Sequence, residues 1–190
     1  MALTHGLRNQ FLLSMPHLED PNFAQTLTYI CDHSEYGAMG LIINRSAGMP
    51  IQELLSHLDL KVDVPLRCQQ PVYTGGPVHE DRGFVLHGTE PATGGWLCSH
   101  EITPDISLTT SLDILEAIAR GEGPADYLVA LGYAGWGPGQ LEAEFSENLW
   151  LSCPSNFDIM FRMPPEDRLQ AAASVLGINL SLLTAHAGHA

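Results

Sequence analysis

In a chain of 190 residues with only eight bases against 22 acids, any basic residue set beside a turn is a candidate for chemistry. Two arginines qualify. Arg45 follows Asn44 at the end of the apolar run 38–44, and Arg82 closes the segment Gly75-Gly76-Pro77-Val78-His79-Glu80-Asp81. A guanidinium offers a planar fork of donors, so if the two converge they could grip a phosphate or carboxylate bidentately. The alternative is two ion bridges in a chain with acids to spare. Glycine and proline at positions 75–77 shape a loop that either joins two strands or presents backbone N–H groups to a ligand.

A second glycine segment, Gly132-Tyr133-Ala134-Gly135-Trp136-Gly137-Pro138-Gly139, stands between a strand and a helix start at Gln140. That order can cradle an anion. The glycine spacing fits neither the dinucleotide fingerprint nor the P-loop, and Glu142 and Glu144 oppose an anion there. Trp136 and Tyr133 could stack on a planar ligand, or Trp136 could be a buried aromatic anchor. The candidate ligand-binding set is thus Asn44, Arg45, Gly75, Gly76, Arg82, His87, Tyr133, Gly135, Trp136 and Gln140. An enzymatic reading, acting on a phosphorylated metabolite, needs a titratable group in the same cleft, with His87 or Glu142 as candidates.

Other constellations carry less. His79, His87 and His100 lack the spacing of a zinc site, so no metal is expected, and no cofactor is indicated. There is no G-x-S-x-G elbow. Cys31-Asp32-His33 has no neighbouring positive charge to depress the thiol pKa. Acid pairs such as Glu142 with Glu144 read as solvated faces.

The elements that must position these groups follow from punctuation and periodicity. Strands are expected over 10–15, 26–32, 38–44, 96–102, 106–108, 127–133 and 150–153, where β-branched, aromatic and apolar residues lie between Gly, Pro and Asn breaks. Residues 72–74 and 84–87 read as a hairpin. Pro50 opens a helix with Ile51, Leu54, Leu55 and Leu58 on one face. Thr110 with Asp113 resembles a capping box before a helix stopped at Gly121. A short helix is expected from Gln140. The last helix starts at Pro165, carries Glu166 and Asp167 in its first turn, buries Leu169, Ala172, Ala173 and Leu176, and stops at Gly177. Residues 61–70 read as loop and 185–190 as a frayed tail. Hairpins mixed with single helices indicate an α+β fold with a mixed sheet, in one domain over 1–190.

The bulk numbers exclude several classes. A formal charge of −14, with one lysine and seven scattered arginines, leaves no basic stripe, so direct nucleic-acid binding is not expected. The same charge disfavours anionic membranes but suits a basic protein partner. No signal peptide or bilayer-length apolar run is visible, and the four cysteines have no C-x-x-C pair, which together point to a cytoplasmic protein with reduced thiols.

Several blocks stand in order along the chain: Met15-Pro16-His17, Asp20-Pro21-Asn22-Phe23, residues 37–45, Gly75-Gly76-Pro77-Val78, residues 81–87, residues 131–136, Gly139-Gln140-Leu141-Glu142 with Glu144, and residues 177–181. Together they resemble the YqgE/AlgH family of bacterial proteins. The resemblance implies a compact α+β domain with a bifurcated mixed sheet folded toward a pseudo-barrel. It implies no known reaction. AlgH-type members have been labelled transcriptional regulators, a role that this charge would make indirect.

Overall fold

The computed structural model describes residues 6–89 and 95–187. Eight strands follow one antiparallel path, β10-β1-β2-β3-β9-β6-β8-β7. They are β1 (Gln10–Ser14), β2 (Leu27–Ser34), β3 (Gly37–Ile42), β6 (Val78–Gly88), β7 (Ser99–Thr103), β8 (Ile106–Thr109), β9 (Tyr127–Trp136) and β10 (Trp150–Pro154). Two more, β4 (Ser46–Pro50) and β5 (Pro71–Thr74), pair with each other, and β5 also runs parallel to β9. The helices are α1 (Ile51–His57), α2 (Leu112–Arg120), α3 (Gln140–Ser146), α4 (Phe157–Phe161), α5 (Pro165–Val175) and α6 (Leu180–Ala187).

The path curls into a half-barrel. Phe11 and Tyr29 from one end share a core with Ile102 and Ile106 from the other, and the Arg8 side chain donates to the Glu101 carbonyl at 2.8 Å across the seam. Strand alternation separates two faces. On β6, Phe84 and Leu86 face the inner core with α4 and α5, while Val85 faces α1 and α2. On β1 and β2, Leu12 and Ile30 face outward into a third cluster with Trp136, Leu141 and Trp150, beside α3.

The bifurcation sits on β9. Residues 72–74 and 84–87, expected to form a hairpin, do not pair; β5 and β6 flank β9 from opposite sides. The chain between them therefore crosses β9, and it does so at Gly132. A Cβ on Gly76 would run into the Tyr133 carbonyl, and one on Gly132, at φ +75°, would run into the Gly76 carbonyl. Beyond the crossing β3 takes over the side that β5 held, with Gly40 opposite Ala134. Gly132 also resets the alternation: Leu128 and Ala130 face inward before it, Tyr133 faces inward after it. The glycine pair 75–76 thus serves a backbone crossing that two-strand reasoning could not foresee.

Other expectations shift by smaller amounts. Pro50 precedes α1 as its N-cap, but Leu58 lies past the helix and is exposed. The N-cap of α2 is Ser111, not Thr110, and its hydroxyl donates to Asp113. The strand expected at 96–102 begins at Ser99, and β9 continues three residues past Tyr133 to Trp136. Leu176 lies past α5 as its C-cap and is exposed. Strand β4 and helices α4 and α6 were not expected. α6 takes up residues 185–187 of the expected frayed tail, whose remaining residues 188–190 lie outside the described chain, as does Gly94. All four cysteines are free thiols, with Cys98 exposed and the other three buried.

Candidate functional site

The open end of the half-barrel, where β2, β3, β9 and β6 come side by side, holds a cleft of about 590 Å³. Each wall follows from a local irregularity. On β2 the pairing slips between Ile30 and Asp32, so Cys31 is an extra, unpaired residue. The bulge leaves Cys31 in the inner core, turns Asp32 into the cleft and sends His33 outward to α3. On β6 the register jumps from Val78 opposite Tyr133 to Gly83 opposite Leu131, so residues 79–82 leave the ladder as a bulge. That bulge carries Arg82 to the cleft, with its guanidinium carbon 5.5 Å from the Phe84 ring centroid. Met39, Phe84 and Tyr133 form the floor.

Of the candidate set, Arg82, Tyr133, Gly135 and Trp136 meet in this cleft. The others do not line it. Asn44 and Arg45 lie past the far end of β3 and hold the loop before β2. Asn44 accepts from the Leu27 amide at 2.9 Å and donates to the Gln25 carbonyl at 3.0 Å. Arg45 donates to the carbonyls of Pro21 at 3.0 Å, Asn22 at 2.7 Å and Ala24 at 2.8 Å. Gly75 and Gly76 are buried in the crossing. Gln140 closes the turn into α3, accepting from the Gly137 amide at 3.0 Å.

His87 is buried near the other end of β6. Its Nδ1–H donates to the Gly88 carbonyl at 2.9 Å, and Nε2 accepts from the Thr109 hydroxyl at 2.7 Å. Burial pushes its pKa below the usual histidine value, against a smaller opposing effect of the Gly88 bond. Glu142 is 2.7 Å from Nε2 of His33, whose Nδ1 accepts from the Leu7 amide at 3.3 Å. That geometry fixes the proton on Nε2 and ties the N-terminal segment to α3.

Trp136 lines the cleft, while its indole N–H donates to Glu144 at 2.8 Å, as does that of Trp150. Phe23 packs against both indoles, 6.1 and 5.6 Å between centroids, so Trp136 is chiefly an aromatic anchor. The Cys31 thiol pKa is driven up, first by burial and then by Asp32, which makes it a core residue and not a nucleophile. Among the described residues no group of three or more histidines, cysteines or acids is placed to hold a metal.

Sequence reasoning passed over Asp32 and Met39 as lining residues, because the β2 bulge that turns Asp32 into the cleft and the strand pairing that seats Met39 on its floor are not local signals. It also missed Arg168, 2% exposed, which donates to the carbonyls of Met163 and Ile43 and lies 5.1 Å over the Tyr73 ring. A signal existed there. Arg168 falls four residues before Ala172, on the apolar stripe of α5.

The architecture defines a class, a half-barrel whose sheet splits at one central strand. A family model described as AlgH-like matches residues 11–181. A UPF0301 protein of Thioalkalivibrio sulfidiphilus is 53% identical over the full length of both chains. The AlgH protein of Pseudomonas aeruginosa is 54% identical over 97% of this chain and 96% of its own. The solution structure of that protein superposes with a TM-score of 0.77 over the same coverage. A crystal structure of a Corynebacterium diphtheriae protein, 18% identical, gives 0.75 over 96% of this chain and 94% of its own, a likeness of fold alone. The chain belongs to the AlgH-like family.

Proposed function

We propose that the chain is a cytoplasmic ligand-binding or regulatory domain whose site is the cleft at the half-barrel's open end, and that its ligand carries an anionic group. One observation carries the reading. Of the seven arginines, Arg8, Arg45, Arg120, Arg162 and Arg168 each engage a carboxylate or a carbonyl. Arg67 and Arg82 make no such bond among the described residues; of the two, Arg82 rests over the Phe84 ring at the mouth of a cleft floored by Met39, Phe84 and Tyr133. A fork of donors over an apolar floor is the usual composition of a small-molecule site, and barrel mouths are a usual place for one. The cleft replaces the wider site expected from sequence, since Asn44, Arg45, Gly75, Gly76, His87 and Gln140 have structural partners elsewhere. An enzymatic role on the same ligand would need a proton-transfer group, and neither His87 nor Glu142 lines the cleft.

A second reading, an adaptor for a basic protein, is favoured by the formal charge of −14 together with the exposed Leu58 and Leu112, which flank a groove between α1 and α2. Any regulation of transcription would then run through that partner. No helix among the described residues is long and apolar enough to cross a membrane.

A thermal-shift screen of nucleotides, sugar phosphates and carboxylate metabolites, run on the wild type and on Arg82→Ala, tests the first reading. A ligand at about 100 times its dissociation constant adds roughly 2.7 kcal/mol, a rise of several degrees in Tm for a domain of this size. The expected result is a shift lost in Arg82→Ala. Shifts that survive the substitution would overturn the assignment of the site.

A further inference from the structure

The bulge that frees Arg82 also lays out a strip of rings. The imidazole of His79 lies 6.0 Å from the Tyr133 ring at 32°, the Tyr133 ring is 5.6 Å from that of Phe84 in an edge-to-face contact, and the Arg82 guanidinium sits 5.5 Å from Phe84. Both ends of the strip come from the four residues expelled from the β6 ladder, and His79 holds a left-handed φ of 47°, unusual outside glycine. His79 and Arg82 are exposed, and neither makes a side-chain hydrogen bond or ion pair among the described residues.

We propose, building on the anion site above, that the cleft takes a planar aromatic ring bearing a single anionic group. The ring lies along the Tyr133–Phe84 strip, the anion meets the Arg82 fork, and His79 closes the far end. Aromatic faces and edges carry complementary charge, so a ring partner gains over an aliphatic one of equal size in contact with Tyr133 and Phe84. The charge layout limits the ligand to one localised anion. Glu80 and Asp81 flank the strip within the bulge, and Asp32 lines the opposite wall, paired at 4.0 Å with Arg8. Asp32 is three strands from Arg82 in the order β2-β3-β9-β6, roughly 14 Å at the usual strand spacing. A polyanion spanning the cleft would meet that carboxylate, whereas an aryl phosphate or aryl carboxylate confined to the β9–β6 half would not.

Titrations with phenyl phosphate, cyclohexyl phosphate and inorganic phosphate, followed through the backbone amides of Arg82, Gly83, Tyr133 and Gly135 by NMR, test the proposal on the full chain. Phenyl phosphate is expected to bind about tenfold more tightly than either comparator, and to lose about tenfold in Arg82→Ala and a few-fold in His79→Ala. If all three bind alike and all depend on Arg82, the aromatic specificity is wrong while the anion site stands. If none perturbs these amides at millimolar concentration, both the aromatic specificity and the anion site fall. Retained phenyl phosphate affinity in Arg82→Ala would also overturn the proposal.

Discussion

Arg45 and Arg82 look alike in sequence, each set beside a strand end or a glycine-rich turn, and the fold puts them to opposite uses. Arg45 points three donor contacts at carbonyls of residues 21–24, which no strand partner satisfies, and thereby fixes the loop that leads into β2. Arg82 leaves the sheet on a bulge, rests on an aromatic face and has no acceptor among the described residues. Buried or half-buried polar groups in a stable fold are matched. Matched donors therefore mark architecture here, and the unmatched fork over the aromatic floor marks the candidate site.

The same contrast separates two groups of glycines and supplies the largest expected effect. Gly76→Ala places a methyl against the Tyr133 carbonyl within the crossing, where only backbone could yield. Destabilisation of about 3 kcal/mol or more, or failure to fold, is expected from urea unfolding. Gly48→Ala is the control, because Gly48 holds a left-handed φ of 82° but has open space around its Cβ; about 1 kcal/mol is expected there. Near-equal costs at the two sites would mean that β9 can shift to admit a side chain and that the crossing is not a fixed point.

Next in size is the arginine pair. Arg45→Ala removes three charge-assisted bonds at a half-buried position and should cost about 2 kcal/mol, with loss of amide exchange protection in Thr26 and the first residues of β2. Arg82→Ala should change stability by less than about 0.5 kcal/mol, since the side chain is exposed and holds nothing in place. If Arg82→Ala proved the more destabilising, the division between the two corners would collapse.

The smallest effect is one of pH. Burial holds the His87 pKa below its ordinary value of 6.5, so the unfolded chain takes up the proton first as pH falls. Its contribution is intact above pH 6.5 and is lost as pH drops below, at up to about 1.4 kcal/mol per pH unit until the folded ring itself protonates. His87→Gln should flatten that part of the profile of urea midpoints. An unchanged slope would show that His87 is not the group that couples folding to acid.

How much of this was legible in the residues depends on the range of the forces involved. Apolar runs at 10–15 and 38–44, proline and glycine at the ends of α1, α2 and α5, and the first-turn acids of α5 encode their own structure locally, and most of the expected elements fall within a few residues of place. The family blocks, too, lay in plain order along the chain. Which strands pair was not local. Residues 72–74 and 84–87 carry hairpin patterning, yet β9, which starts at Tyr127, inserts between them, and the glycines at 75–76 answer to Gly132 and not to a turn. The cleft depends on two register slips, at Cys31 and at residues 79–82. A one-residue slip reverses which face a side chain occupies without altering the composition of the strand. The sequence by itself determined the elements, the acidic balance and the supply of two well-placed arginines. Only the tertiary structure decided which arginine would be matched by carbonyls and which left open, because hydrogen-bond partners distant in the chain are chosen by the packing of the sheet.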